Sequence, residues 1–181
     1  MILISGSMQT LHPGKWLSDE VINYFLKICI KSRDIKICAK EPGRRRSHFF
    51  NSFFVQTIFD EKNRNRKLKG RYNYELREWK GLVKEGTWEG HLQPEVHIFS
   101  INLNNKHWTV AVIFMEAKRI RYYDSMGKTD WAKLEGLLQY VKDEYRAKNG
   151  KEMDAMEWEL VPCKMDTPQQ ENGELYLSVL G

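Results

Sequence analysis

Between residues 96 and 124 the chain holds three β-rich runs so closely spaced that pairing is nearly forced on them. Val96 to Asn102, Trp108 to Phe114 and Arg119 to Asp124 are dense in β-branched and aromatic residues. The separators Asn104-Asn105-Lys106 and Glu116-Ala117-Lys118 are too short for the crossover that parallel neighbours need, so the three strands are predicted to be consecutive and antiparallel. Thr129 or Asp130 then caps a predicted helix that runs to about Lys148, with Leu134, Leu138, Val141 and Tyr145 on one face. Asn149-Gly150 is its stop. Trp158 to Val161 reads as a fourth strand.

Ahead of this region the pattern is helical. Ser18 before Asp19 and Glu20 is a start signal, and a helix over about 18–31 would bury Val21, Phe25 and Ile28. A second helix is predicted over about 49–58, with Phe49, Phe50, Phe53, Phe54 and Ile58 as core. A third is predicted over 72–84, with Leu76, Trp79 and Val83 on one side. Helices first, then strands mixed with helices, make the class α+β. At 181 residues the chain suits one domain with a core of its own and is expected to be a monomer.

Charge and cysteine content narrow the function classes. Three cysteines, Cys29, Cys38 and Cys163, stand at no metal-ligand spacing, so neither a metal nor a cofactor is expected. A reducing compartment, nuclear or cytoplasmic, is favoured. No apolar stretch approaches the length of a bilayer span, and the start does not read as a signal peptide. The net charge of +5 is concentrated in residues 31–71, which hold thirteen basic against four acidic residues. That stretch, with peaks at residues 43–46 and 62–71, could meet nucleic acid or an acidic protein surface. Within those two peaks the basic residues are not interleaved with the aromatics that a single-strand binder uses for stacking.

His107 opens one predicted strand and Asp124 closes the next, which allows an antiparallel pair to set them side by side. Thiol-based nucleophilic catalysis needs an imidazole to take a proton, a carboxylate or amide to hold that ring, and a donor for the oxyanion; His107, Asp124 and Gln170 are candidates for these three roles. Five motifs occur in order: Gly14-Lys15-Trp16-Leu17-Ser18-Asp19-Glu20-Val21-Ile22-Asn23, Phe50-Asn51-Ser52-Phe53-Phe54, Asn105-Lys106-His107-Trp108-Thr109-Val110, Tyr122-Tyr123-Asp124-Ser125-Met126 and Pro168-Gln169-Gln170-Glu171-Asn172-Gly173. Together they resemble the ubiquitin-like-protein-specific cysteine proteases, the SUMO (sentrin-specific) protease family, over about residues 11–173.

The resemblance implies a papain-like α+β fold with a central mixed, largely antiparallel sheet flanked by helices. It implies cleavage after the C-terminal Gly-Gly of a SUMO-type modifier or its conjugates. His107 would be the general base, Asp124 its orienting partner and Gln170 the oxyanion-hole side chain. Trp16 and Trp108 would clamp the Gly-Gly tail, since only glycine lets a backbone pass between two indoles. Asp19 would pair with a basic residue of the modifier. The family pattern continues to a nucleophilic cysteine six positions after Gln170, and here that position is Tyr176, with Leu175 and Leu177 beside it in place of Asp and Gly. The expectation is therefore a single domain over 1–181, incomplete at its C-terminus and without its nucleophile: an inactive relative or a binding module for modifier tails. Cys163, seven residues before Gln170, is expected to be structural rather than a substitute nucleophile.

Overall fold

In a computed structural model, residues 5–12, 15–44, 47–59, 67, 69–76, 96–164 and 166 are described. A short helix, α1 (Ser5–Met8), precedes α2 (Asp19–Tyr24), a π-helical turn (Phe25–Ile30) and α3 (Lys31–Lys40). Strand β1 (His48–Phe50) and helix α4 (Ser52–Ile58) follow, then β2 (Val96–Leu103), β3 (His107–Phe114), β4 (Arg119–Tyr123), α5 (Trp131–Asn149) and β5 (Glu159–Val161). The five strands form one sheet in sequence order. Its centre, β2–β3–β4, is antiparallel, as the short separators predict, while β1 and β5 join the two sides in parallel.

Turn chemistry accounts for the central meander. Asn104 and Asn105 both have positive φ, the left-handed region that asparagine tolerates best after glycine, and Lys106 N–H closes the turn onto Leu103 O at 3.1 Å. The period of two puts Phe99 and Ile101 of β2, Ala111 and Ile113 of β3, and Ile120 and Tyr122 of β4 on one face. That face packs on Phe54, Val55 and Ile58 of α4 and on Leu134, Leu137, Tyr140 and Val141 of α5. Where Tyr122 carries its hydroxyl into this core, Thr109 Oγ1 meets it at 2.8 Å, so the polar atom is satisfied.

The helices differ from the sequence reading in three places. The first does not stop near residue 31 but continues to Lys40, and its π-helical turn widens the spiral and shifts the buried stripe. Val21, Ile22 and Leu26 are buried, whereas Ile28 is 41% exposed. The helix expected over 49–58 begins only at Ser52, because Asn51 caps it by accepting from the N–H groups of Phe53 and Phe54, each at 3.0 Å. The residues before that cap extend instead and pair with β2, so Phe49 and Phe50 belong to a strand; Phe53 points outward at 43% exposure. Of the helix expected over 72–84, Tyr74–Leu76 form one 3-10 turn and residues 77–84 lie outside the described ones. Asp130, not Thr129, caps α5, accepting from Lys133 N–H at 3.1 Å, and Gly150 ends it with φ of 63°. The buried face of α5 runs through Leu134, Leu137, Tyr140 and Val141, rotated from the predicted stripe, and leaves Leu138 and Tyr145 partly covered. No helix among the described residues is long and apolar enough to cross a membrane.

Candidate active site

At one end of the meander His107 shares the core-facing side of β3 with Thr109 and Ala111, and Asp124 follows Tyr122 off the end of β4. The two side chains meet there: His107 Nε2 lies 2.5 Å from Asp124 Oδ1. Both are largely withdrawn from water, the imidazole at 12% and the carboxylate at 2% exposure, so the contact is little screened. A carboxylate only accepts, which makes Nε2 the protonated nitrogen and leaves the Nδ1 lone pair as the basic one. Nδ1 is buried and has no hydrogen-bond partner among the described residues.

The turn after β4 fixes the carboxylate. Met126 N–H donates to the same Oδ1 at 2.8 Å, and Gly127 N–H donates to Asp124 O at 2.9 Å, a tight turn that Gly127 allows with φ of 69°. Neither bond was foreseeable as a site feature, although Asp followed three residues later by Gly is a turn signal in its own right.

Trp108 is half-buried, and its indole N–H donates to Leu17 O at 2.8 Å, joining the start of β3 to the segment that carries Trp16. Trp16 is 46% exposed. Asp19 stands in the first turn of α2 behind Ser18, whose side chain caps that helix; Asp19 Oδ1 is buried and has no partner among the described residues. The asparagine and serine of the first two motifs have a structural role. Asn23 and Ser52 exchange two hydrogen bonds, of 2.9 and 2.8 Å, that tie α2 to the start of α4. Gln170 and Tyr176 lie outside the described residues, as do Arg45, Arg46 and residues 62–66 of the basic stretch. Arg44 is engaged by Glu41 at 2.8 Å. Among the described residues no group of three His, Cys, Asp or Glu side chains is arranged to hold a metal ion.

The meander end thus holds an imidazole against a buried carboxylate, with the adjoining Trp108 indole bonded to the segment that carries the exposed Trp16. Residues 15–174 match the Ulp1 protease family, C-terminal catalytic domain. The chain belongs to that family. The Ulp1 family is one of cysteine proteases, and the fold is the Ulp1-like α+β fold, a mixed five-stranded sheet flanked by helices. Ubiquitin-like-specific protease 1A of Arabidopsis thaliana is 34% identical over 170 residues, which cover 92% of this chain and 30% of that protein. Sentrin-specific protease 2 of Homo sapiens is 30% identical over 170 residues, covering 93% and 25%. The X-ray structure of the C-terminal Ulp1 protease domain in complex with Smt3, the yeast ortholog of SUMO, is similar at a TM-score of 0.62 and 26% identity, over 93% of this chain and 63% of that one. A de-sumoylating protease shares the fold at a TM-score of 0.71 and 18% identity, over 94% and 61%. This chain thus spans less than a third of those two curated relatives and under two thirds of those two solved chains.

Proposed function

We propose that this chain recognises the C-terminal Gly-Gly tail of a SUMO-type ubiquitin-like modifier, alone or in its conjugates, at an Ulp1-type cysteine-peptidase site. We propose further that it holds the tail without hydrolysing it. The observation that carries the reading is the buried His107–Asp124 contact beside Trp108, whose ring is bonded to the Trp16 segment. In that arrangement Trp16 and Trp108 line the path of the tail, and a chain of two glycines is what such a slot admits. Asp19 offers a carboxylate to a basic residue of the modifier.

In the chemistry of the family, a thiol gives its proton to the imidazole, the thiolate adds to the carbonyl after Gly-Gly, and the imidazolium returns the proton to the departing amine. His107 supplies the base at Nδ1, Asp124 holds the ring in the matching tautomer, and Gln170 is assigned to the oxyanion. The step that fails is the first. Tyr176 occupies the nucleophile position, and a phenol, with an ordinary pKa of about 10, stays protonated at neutral pH where a thiol beside an imidazole would not. The test is a titration of the chain with a mature SUMO-type modifier, followed by tryptophan fluorescence. Saturable quenching or enhancement is expected, largely lost in Trp108→Ala. Equal affinity for a modifier whose last two glycines are alanines would refute the clamp.

A further inference from the structure

We propose that Cys163 is a positioning residue for the His107–Asp124 pair: its thiol brackets the backbone of Asp124 and fixes where that carboxylate meets the imidazole. The inference rests on the acid–base role given above to His107 and Asp124. It arises from how the parallel pairing of β4 and β5 ends. Their ladder pairs Arg119 with Glu159, Ile120 with Leu160 and Arg121 with Val161, and goes no further. The next residue, Pro162, has no N–H to donate, so the backbone of β5 cannot carry the ladder on to Asp124. The side chain of the residue after it does so instead.

Asp124 N–H points at Cys163 Sγ at 3.4 Å, and Sγ in turn lies 3.2 Å from Asp124 O, the direction in which an S–H donates. One sulfur therefore serves both main-chain groups of the residue that bears the catalytic-type carboxylate. Cys163 is itself held, because its N–H donates to Thr129 Oγ1 at 2.9 Å. Asp124 is consequently fixed from two sides: the turn through Met126 and Gly127 orients the side chain, and Cys163 anchors the main chain. With Asp124 2% exposed, a small displacement of its backbone would not be made good by water. The same contacts direct this thiol at the backbone of the orienting residue.

The reporter is the His107 Nε2 proton, which a short bond to a buried carboxylate shifts downfield in the proton NMR spectrum and protects from exchange with water. The chain is examined without any modifier, so a failure of tail binding leaves this readout untouched, and a failure here leaves tail binding untouched. In the parent protein the resonance is expected, and Asp124→Asn should displace it, which assigns it. Cys163→Ala, which removes both sulfur contacts, should abolish the resonance or speed its exchange about tenfold, the consequence of losing one hydrogen bond's worth of order. Cys163→Ser, which keeps a donor and an acceptor at the same place, should retain it. Thr129→Val should act like Cys163→Ala in weaker form, and it carries the test together with the serine variant where the alanine variant does not fold. An unchanged resonance in a folded Cys163→Ala protein, or a loss in the serine variant equal to that in the alanine one, would overturn the proposal.

Discussion

Phe59 shows how a single position on a helix can be fixed by what lies under it. The ring is 1% exposed, and α5 embraces it: Lys133 places its ammonium over the ring face, 4.1 Å from the centroid, while Gly136, one turn on, leaves room for the ring edge. A β-carbon at residue 136 would overlap Cε1 and Cζ of that ring. Alanine is the better helix former by about 1 kcal/mol. Overpacking a closed core costs about 1 to 3 kcal/mol, and a ring buried on both faces has nowhere to retreat, so the steric term should win. Gly136→Ala is therefore expected to lower stability in urea unfolding. A gain would mean that Phe59 moves aside at little cost. The glycine is visible in the sequence, but its reason is not, because Phe59 stands in a distant part of the chain and no periodicity in α5 announces it.

At the scale of elements, α3 hangs on one buried residue. Asp34 is 8% exposed and accepts from Ser47 twice, at N–H and at Oγ, both at 2.9 Å. Asp34→Ala should cost about 1 to 3 kcal/mol, the penalty for leaving buried donors without an acceptor, and should raise amide exchange along α3 more than in the sheet. Exchange that rises equally everywhere would show that α3 is not a separable unit. A second cross-element tie joins Tyr72 to Asp143 of α5 at 2.9 Å. Burial, and then the neighbouring Asp143 charge, push the Tyr72 phenol far above its ordinary value; burial likewise raises Tyr122. Unfolded tyrosine ionises near about pH 10, so the stability these phenols contribute is complete below that pH and is lost as the pH climbs past it. Urea midpoints should hold up to about pH 9 and then fall. The fall should be shallower in Tyr72→Phe, which should itself lose about 1 kcal/mol at neutral pH. The central strands and α5 were legible because turn residues and caps act locally. The strand His48–Phe50 was not, since its pairing partner begins at Val96 and three aromatic residues before a cap look the same in a strand as in a helix.

Across the whole molecule, the parts of the site that could be read from sequence are those whose spacing a local rule converts into proximity. His107 and Asp124 meet because a short hairpin joins β3 to β4. The bond from Trp108 to Leu17 spans 91 residues and the one from Cys163 to Asp124 spans 39, and neither distance carries a period that betrays it. Only the fold brings together the exposed Trp16, the tethered Trp108 and the anchored carboxylate. The chemistry is where these parts have to be tested as one. With the His107–Asp124 contact in place but tyrosine at position 176, the chain should, on the proposed reading, bind a SUMO-type modifier yet release no fluorophore from a C-terminal conjugate of it. It should also form no adduct with a modifier that carries a thiol-reactive electrophile at its C-terminus, because such trapping requires a thiolate within reach of the imidazole. His107→Ala should then leave both results unchanged while abolishing the downfield imidazole proton. Turnover by the unmodified chain, lost in Cys163→Ala and not in Tyr176→Phe, would move the nucleophile to Cys163 and reverse the role assigned to that thiol.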